Sequence, residues 1–386
     1  MRLLLLSHAP NDENAGASRL YHMLAAGLRD RGHQVDLFHL DDMGLPRQPH
    51  LARTARRMLM PTYLSRFGLR QAGRGYDAIM ASSGMAGPLF DRLRRSSSRP
   101  RLINHLHGLA IYDHLAAMTE GMLGHGRTTL AARHLTGPIQ ARWDDHGLRA
   151  ADLNIVQNRR DLAEARLRLP GHRAVTMIPA AVHPAVLAAS AGASPLDRRA
   201  PELLWFAAWQ PRKGCHHLPG ALRIVRAARP EVRLVIGGTG LAPADLLGRF
   251  APEDRPAIEV LPRISVAEQA ALFGRAAIIV FPSLSEGFGL ALAEAMSFGL
   301  AAVAGATGFA ADVLQDGRDA RIVTVSAEHI GHAIRDLIEN PAARAALADR
   351  GRAVARQFTS DRMALAYEQA ILATGPSDQT ADPARN

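Results

Sequence analysis

The sequence predicts an α/β protein made of two doubly wound, parallel-sheet domains. Three observations predict it. Short apolar segments of strand length alternate with helical stretches along most of the chain. The alternation breaks once, over an Ala/Ser/Gly/Pro-rich stretch at 185–202 that reads as a linker, and then restarts. The chain has 386 residues, 47% of them hydrophobic, which suits two or three domains with real cores and excludes wholesale disorder.

The elements follow in order. Arg2–Ser7 reads as a buried strand, because four consecutive leucines are bounded by polar residues. Ala17–Arg31 is amphipathic, with Leu20, Leu24 and Leu28 on one face, and Gly32 stands where a helix C-cap is expected. Gln34–Leu40, Asp77–Ala81, Arg101–Leu106 and Leu153–Gln157 read as further strands. After the linker the pattern gives strands at Glu202–Ala207, Val232–Ile236, Ala277–Phe281 and Ala301–Ala304. Helices are expected at Gly214–Ala228, Val266–Gly274, Gly289–Phe298, Ile330–Ile338, Ala342–Gln357 and Asp361–Ala373. The residues after Gly375 read as a disordered tail. The expected organisation is 1–190, 191–360, a last helix at 361–373 and a tail at 374–386.

Composition narrows the function. The single cysteine, Cys215, rules out an intrachain disulfide and a cysteine-built zinc site. The apolar runs, such as Ala276–Phe281, are far shorter than the roughly 20 residues that span a bilayer. Leu3–Leu6 is too short for a secretory leader, so a cytoplasmic protein is expected. The net charge is +10, from 46 basic and 36 acidic residues. Residues 45–101 carry all of that excess, with 12 arginines against Asp77 and Asp91. Of the basic residues only Lys213 is a lysine, which marks that position for attention.

Motifs narrow it further. The first β-α turn, SHAPNDENAGAS, lacks the Gly-x-Gly-x-x-Gly of a dinucleotide site, and Gly237-Gly238-Thr239-Gly240 has the wrong spacing and reads as a bare turn. Lys213 precedes its glycine, so it is not a P-loop lysine. The most specific stretch is PSLSEGFGLALAEAMSFG, running from Pro282 to Gly299. A strand, a glycine loop and a helix start coincide there, and a helix N-terminus favours phosphate. Glu286 lies in the loop and Glu294 inside the helix. Carboxylates beside an anion site fit hydroxyl donors such as a sugar or ribose, so the string points to a nucleotide-sugar. The plainer alternative is that both glutamates merely decorate a helix start.

This Glu-x7-Glu string resembles the signature of the retaining glycosyltransferases of the GT-B fold, family four. RGHQVDLF, the segments Ala151–Val156 and Ile178–Pro179, and WQPRKG at 209–214 are similar to other parts of that family. The resemblance implies two Rossmann-like domains facing a cleft and a nucleoside-diphosphate sugar as donor. It also implies a glycan or lipid-linked acceptor in polysaccharide or glycoconjugate synthesis, with no cofactor and no metal. Lys213 falls where the family binds diphosphate, Glu286 where it faces the donor sugar, and Glu294 where it holds the ribose. Gly287, Phe288, Gly289 and Leu290 would surround sugar and phosphate, while Val260 to Arg263 would hold the base. His107, in a His-Gly after the fourth strand, resembles the family's reaction-centre histidine, a neutral imidazole touching the donor sugar. Gly16 is what remains of a glycine-rich first loop.

The chain departs from the pattern at Ala208, where the family has a second phosphate-binding cation. Either Arg212, Arg263 or another group substitutes, or activity is reduced; for Arg212 itself a plain solvated charge is the expected reading. A second departure is Ala180-Ala181, where the family usually has Asn-Gly. Residues 51–74, a basic amphipathic stretch, fit either an anionic membrane surface or a solvated face over a core stripe; nucleic-acid binding lacks any motif. A nucleotide-sugar epimerase, a phosphorylase and a non-catalytic nucleotide-sugar-binding protein are the competing functions.

Overall fold

The computed structural model describes residues 1–44, 53–96, 99–125, 137–169, 174–192 and 202–375. The chain forms two compact units. The first comprises Met1–Ala110, His134–Pro179 and Asp361–Asn386; the second comprises Ile111–Arg133 and Ala180–Ser360. The division therefore falls at Pro179/Ala180 rather than at 190/191, and Ile111–Arg133 belongs to the second unit.

The first unit contains β1 (Arg2–Leu6), α1 (Gly16–Asp30), β2 (Gln34–Phe38), α2 (Arg53–Ala72), β3 (Ala78–Ser82), α3 (Gly87–Leu93) and β4 (Arg101–His105). From α4 (Ala110–Met122) only Ala110 belongs to it. Then come α5 (Gly137–Ala150), β5 (Leu153–Val156), α6 (Arg159–Arg168) and β6 (Ala174–Met177). Its sheet is parallel throughout, in the order β2-β1-β3-β4-β5-β6. Leu3–Leu6 are buried on both faces, as an interior parallel strand requires. Leu20, Leu24 and Leu28 of α1 are buried too. Between β4 and β5 the buried Asp152 accepts from Arg99 at 2.6 Å, Arg94 at 3.2 Å and the Leu102 amide at 3.0 Å. One carboxylate thus ties two arginines and a strand start together.

The basic stretch takes the core-stripe arrangement among the described residues. Met60, Leu64 and Phe67 of α2 are buried, and Leu64 and Phe67 join the cluster of Leu4, Leu6 and Ile79. Arg66 and Arg70 are exposed. Leu51 lies outside the described residues.

The second unit contains α7 (Pro184–Ala189), β7 (Glu202–Phe206), α8 (Leu218–Ala228), β8 (Arg233–Gly237), α9 (Pro243–Leu247), β9 (Ile258–Leu261), α10 (Val266–Arg275) and β10 (Ile278–Phe281). It continues with α11 (Leu290–Ser297), β11 (Ala301–Gly305), α12 (Phe309–Val313), β12 (Arg321–Val323), α13 (Ala327–Glu339) and α14 (Pro341–Ala355). Its parallel sheet runs β12-β11-β10-β7-β8-β9, the doubly wound order that places ligands beyond the strand C-termini where the order reverses. Trp205, Leu222, Ile236, Val280 and Ile334 fill its core.

Two expectations change. The linker begins with a helix: the His183 side chain caps α7 by accepting from the Ala185 amide at 3.2 Å, Pro184 opens the helix, and Val186 is buried. Residues 193–201 of that stretch lie outside the described residues. The helix expected from Gly214 starts at Leu218, because Gly214 adopts φ 64° and separates two 3-10 turns, Pro211–Lys213 and Cys215–His217.

The last helix, α15 (Ser360–Ala373), joins the first unit from Asp361 onward. Its Glu368 binds Arg31 and, at 2.7 Å, His33. Tyr367, fully buried, meets His105 Nε2 at 2.8 Å. The tail at 376–386 lies outside the described residues.

In the first unit α5 packs against the turn after β3 at backbone distance. A Cβ on Gly84 would lie 2.1 Å from the Trp143 carbonyl oxygen, an atom that cannot turn aside. Gly84→Ala should destabilise the first unit by at least ~2 kcal/mol, as overpacking does. Urea melts of the variant check this.

Candidate functional site

In the second unit two loops meet beyond the C-termini of β7 and β10. The loop 207–214 carries Arg212 and Lys213; the loop 282–289 carries Glu286. Their backbones are joined where the Leu284 amide donates to the Arg212 carbonyl at 2.8 Å. Gly214 makes the approach possible, since a Cβ there would stand 2.0 Å from the Pro282 carbonyl oxygen.

Lys213 Nζ donates to Glu286 Oε1 at 2.5 Å, and both side chains are largely buried. Lys213 also lies 5.7 Å from the centre of the Phe281 ring. Arg212 comes within 4.0 Å of the other Glu286 oxygen and 3.5 Å of Asp113, and donates to the Ser285 carbonyl at 3.3 Å. Arg212 is therefore part of the cluster rather than a solvated charge. Burial alone would raise the Glu286 pKa, but Lys213 and Arg212 beside it hold the carboxyl below its ordinary 4.5. Glu286 is ionised at neutral pH.

Helix α11 starts at this loop. Gly289 takes φ 103° at its N-cap, and the Leu292 amide is the first to return to the Gly289 carbonyl. The Leu290 and Ala291 amides thus have no acceptor inside the helix, which leaves donors beside two cations. Phe288 is buried against Phe309 and Phe358, and its carbonyl accepts from the Phe309 amide at 2.6 Å. Glu294, one turn on, is buried and accepts from Gln269 at 2.6 Å. A buried carboxylate held by a neutral amide keeps acceptor capacity for hydroxyl groups.

The remaining second-unit positions are more peripheral. Val260 is half-buried in β9 and Arg263 is exposed in the loop after it. Ala208 is exposed and supplies no charge. The structure brings Arg212, and not Arg263, to Lys213. Gly237–Gly240 forms a turn, with Gly238 and Gly240 at φ 73° and 70°.

In the first unit His8, Ser82, His105 and His107 gather at the C-terminal ends of β1, β3 and β4. His8 meets the Ser82 hydroxyl at 2.6 Å. The His105 and His107 rings are 4.5 Å apart, and His107 lies 5.6 Å from the rings of His8 and Tyr21. Burial pushes the His105 pKa down to about 3, helped by His8. His107 is also well below its ordinary value, from burial and then from His105 and His8. Both imidazoles are neutral at pH 7. His107 Nε2 is buried and has no hydrogen-bond partner among the described residues, so an acceptor or donor nitrogen is left for a ligand. Gly16 is exposed at the first turn of α1, whose N-cap Ala15 offers no side-chain bond. Next to this cluster Ser83 is the only non-glycine residue at positive φ, 67°, among the described residues. Backbone strain of that kind concentrates at functional sites.

Sequence reasoning missed Asp113, Ser82, His8 and Gln269. A lone polar residue carries no spacing signal, and these four become partners only through the fold.

Comparison with known proteins now has a geometry to meet. Residues 191–354 match the family described as glycosyl transferases group 1. A D-inositol 3-phosphate glycosyltransferase of Nocardioides sp. is 32% identical over 186 residues, 44% of this chain and 41% of that protein. The chain thus matches less than half the length of that curated relative. Among solved structures, sucrose-phosphate synthase of Thermosynechococcus elongatus is 19% identical with a TM-score of 0.76, covering 96% of this chain and 98% of the other. The UDP-forming α,α-trehalose-phosphate synthase of Burkholderia xenovorans is 15% identical with a TM-score of 0.69, covering 96% and 100%. The fold is the GT-B fold, an α/β architecture of two Rossmann-like units.

The buried pair makes a stability prediction. Lys213→Met should cost about 3 kcal/mol, the low end for breaking a buried pair, because Arg212 still faces the orphaned carboxylate. Lys213→Met with Glu286→Gln should cost less than Lys213→Met alone. Since the folded Glu286 pKa lies below 4.5, its contribution is present above pH 4.5 and is lost as pH falls through the lowered value. Urea melts across pH 3 to 7 check both expectations; the double variant should lack that acid-side loss.

Proposed function

We propose that this protein is a retaining glycosyltransferase that moves a sugar from a nucleoside-diphosphate sugar to a glycan or lipid-linked acceptor, with no metal at the diphosphate. The observation that carries this reading is the Lys213–Glu286 pair beside the start of α11, with Arg212 next to it. Breaking a sugar–diphosphate bond leaves negative charge on the departing phosphate. Preorganised cations and amides stabilise such charge most where water is excluded. Lys213, Arg212 and the first α11 amides are the groups for that task. With diphosphate bound, Lys213 turns from Glu286 toward phosphate, and Glu286 accepts hydrogen bonds from donor-sugar hydroxyls. Glu294 accepts from the ribose, and the Val260–Arg263 segment lies beside the base. In the first unit His107 serves the transfer as a neutral imidazole.

The retaining step is a front-face substitution. The acceptor hydroxyl oxygen forms a bond to the anomeric carbon while the bond from that carbon to the β-phosphate oxygen breaks. The hydroxyl proton passes to the departing phosphate oxygen, so no external base or co-reactant is needed. The basic charge of residues 45–101 favours an anionic or lipid-linked acceptor, as in cell-surface polysaccharide synthesis at the cytoplasmic face of a membrane. Among the described residues no helix is long and apolar enough to cross a membrane. Met60, Leu64 and Phe67 of α2 face the core while Leu59 is exposed, so the attraction to membrane rests mainly on charge.

Lys213→Ala should lower turnover by roughly 10²–10³-fold, the scale for losing one charge-stabilising donor, and His107→Ala should lower turnover with donor affinity retained. Mass spectrometry and NMR of the product with an α-linked donor should show the anomeric configuration preserved; an inverted product or full activity of Lys213→Ala would contradict the reading. Binding to vesicles with anionic lipid should fall as salt is raised from about 50 to 300 mM, over which the screening length shortens. Binding that is insensitive to salt would count against the electrostatic attachment.

A further inference from the structure

A second cluster in the same unit has chemistry that nucleotide-sugar transfer does not use. Glu120, at the end of α4, is 1% exposed. One of its oxygens is 3.0 Å from His217 Nε2 and the other is 3.2 Å from His125 Nδ1. Among the described residues these three side chains place one potential ligand atom each within 4.8 Å of one another. His216 stacks on the His125 ring at 5.7 Å.

We propose that Glu120, His125 and His217 form a structural site for a zinc(II)-class divalent ion. Two imidazoles and one carboxylate are a donor set zinc takes readily, and imidazole suits zinc better than calcium or magnesium. Ligands at about 2.0–2.1 Å in a tetrahedron lie roughly 3.3 Å apart. The 3.0 and 3.2 Å separations run to different oxygens of Glu120, so a carboxylate binding through one oxygen sets one of them as such an edge. The three ligand atoms lie within 4.8 Å of one another. His217 and Glu120 are buried, while the His125 side chain is 33% exposed, so it provides the route for entry. The fourth position falls to water. Cys215 lies outside the three-residue cluster, and its Sγ donates to the Gln210 carbonyl at 3.3 Å.

The site has a structural consequence. It joins α4, from the segment Ile111–Arg133, to the turn Cys215–His217, and that turn begins one residue after Gly214. An ion there fixes the base of the loop that carries Arg212 and Lys213. This role is independent of the transfer reading, because it concerns how the loop is held and not what it binds. Without an ion the same side chains can form an ion-pair network around Glu120, and the two states differ in what they bind.

The full-length chain is stripped with chelator, freed of it, and titrated with cobalt(II) or zinc(II) alone. One equivalent of cobalt(II) should give the visible spectrum of a tetrahedral nitrogen–oxygen site, zinc(II) should abolish that spectrum, and zinc(II) should raise the melting temperature. His217→Ala and His125→Ala should each weaken binding by more than the ~10–100-fold typical of losing an outer-shell partner. His125 is the partly exposed ligand, so His125→Ala stays informative if His217→Ala does not fold; circular dichroism checks its fold. A stripped chain with no saturable cobalt(II) spectrum overturns the proposal and leaves the ion-pair network. Saturable binding that is unchanged in folded His125→Ala overturns it as well, by placing the ion elsewhere.

Discussion

The second unit depends on one buried ion pair. Lys213 and Glu286 come from loops 73 residues apart in sequence and meet at 2.5 Å. Each charge alone would be costly to bury, so each needs the other. The pair also needs its two backbones in register, which the Leu284–Arg212 hydrogen bond and the missing Cβ of Gly214 provide. A lysine held this way is already largely dehydrated and fixed against Glu286. On the proposed function it would give a diphosphate a cation whose ordering cost was met on folding, the meaning of preorganisation at a charged site. Arg212 adds a second cation to the same carboxylate, and Asp113 balances it on the other side.

The first unit uses burial in the opposite way. Its His105 and His107 are kept neutral by lack of water and by neighbouring histidines, rather than charged by a partner. Tyr367 of the last helix closes over His105, so the C-terminal segment helps set the state of a site built from the first four strands. His107 is left with a buried nitrogen unmatched by protein among the described residues. One unit thus holds fixed charge and the other fixed neutrality.

Much of the fold was legible because interior parallel strands are continuous apolar runs. The four-leucine run of β1 and the IIVF of β10 announce themselves. The strands that escaped were β6, β9 and β12, all at sheet edges and mostly half-buried, where no apolar run is required. The helix α7 escaped because alanine and serine there resemble a linker, and only the His183 cap and Val186 mark it. The Lys213, Glu286 and Glu294 positions were legible from a dense motif. Their partners Asp113 and Gln269 were not, since each lies on another element and reaches the site only through the fold. The three-residue cluster of Glu120, His125 and His217 was invisible for the same reason: 97 residues separate its two closest partners.

On the proposed function, Lys213 stands ready for the second phosphate of a nucleoside diphosphate. Calorimetric titration with a nucleoside diphosphate and with the matching monophosphate tests it most directly. The account predicts that the native chain binds the diphosphate more tightly and that this advantage disappears in folded Lys213→Met, while monophosphate affinity changes little. A diphosphate advantage that survives the loss of Lys213 would contradict it.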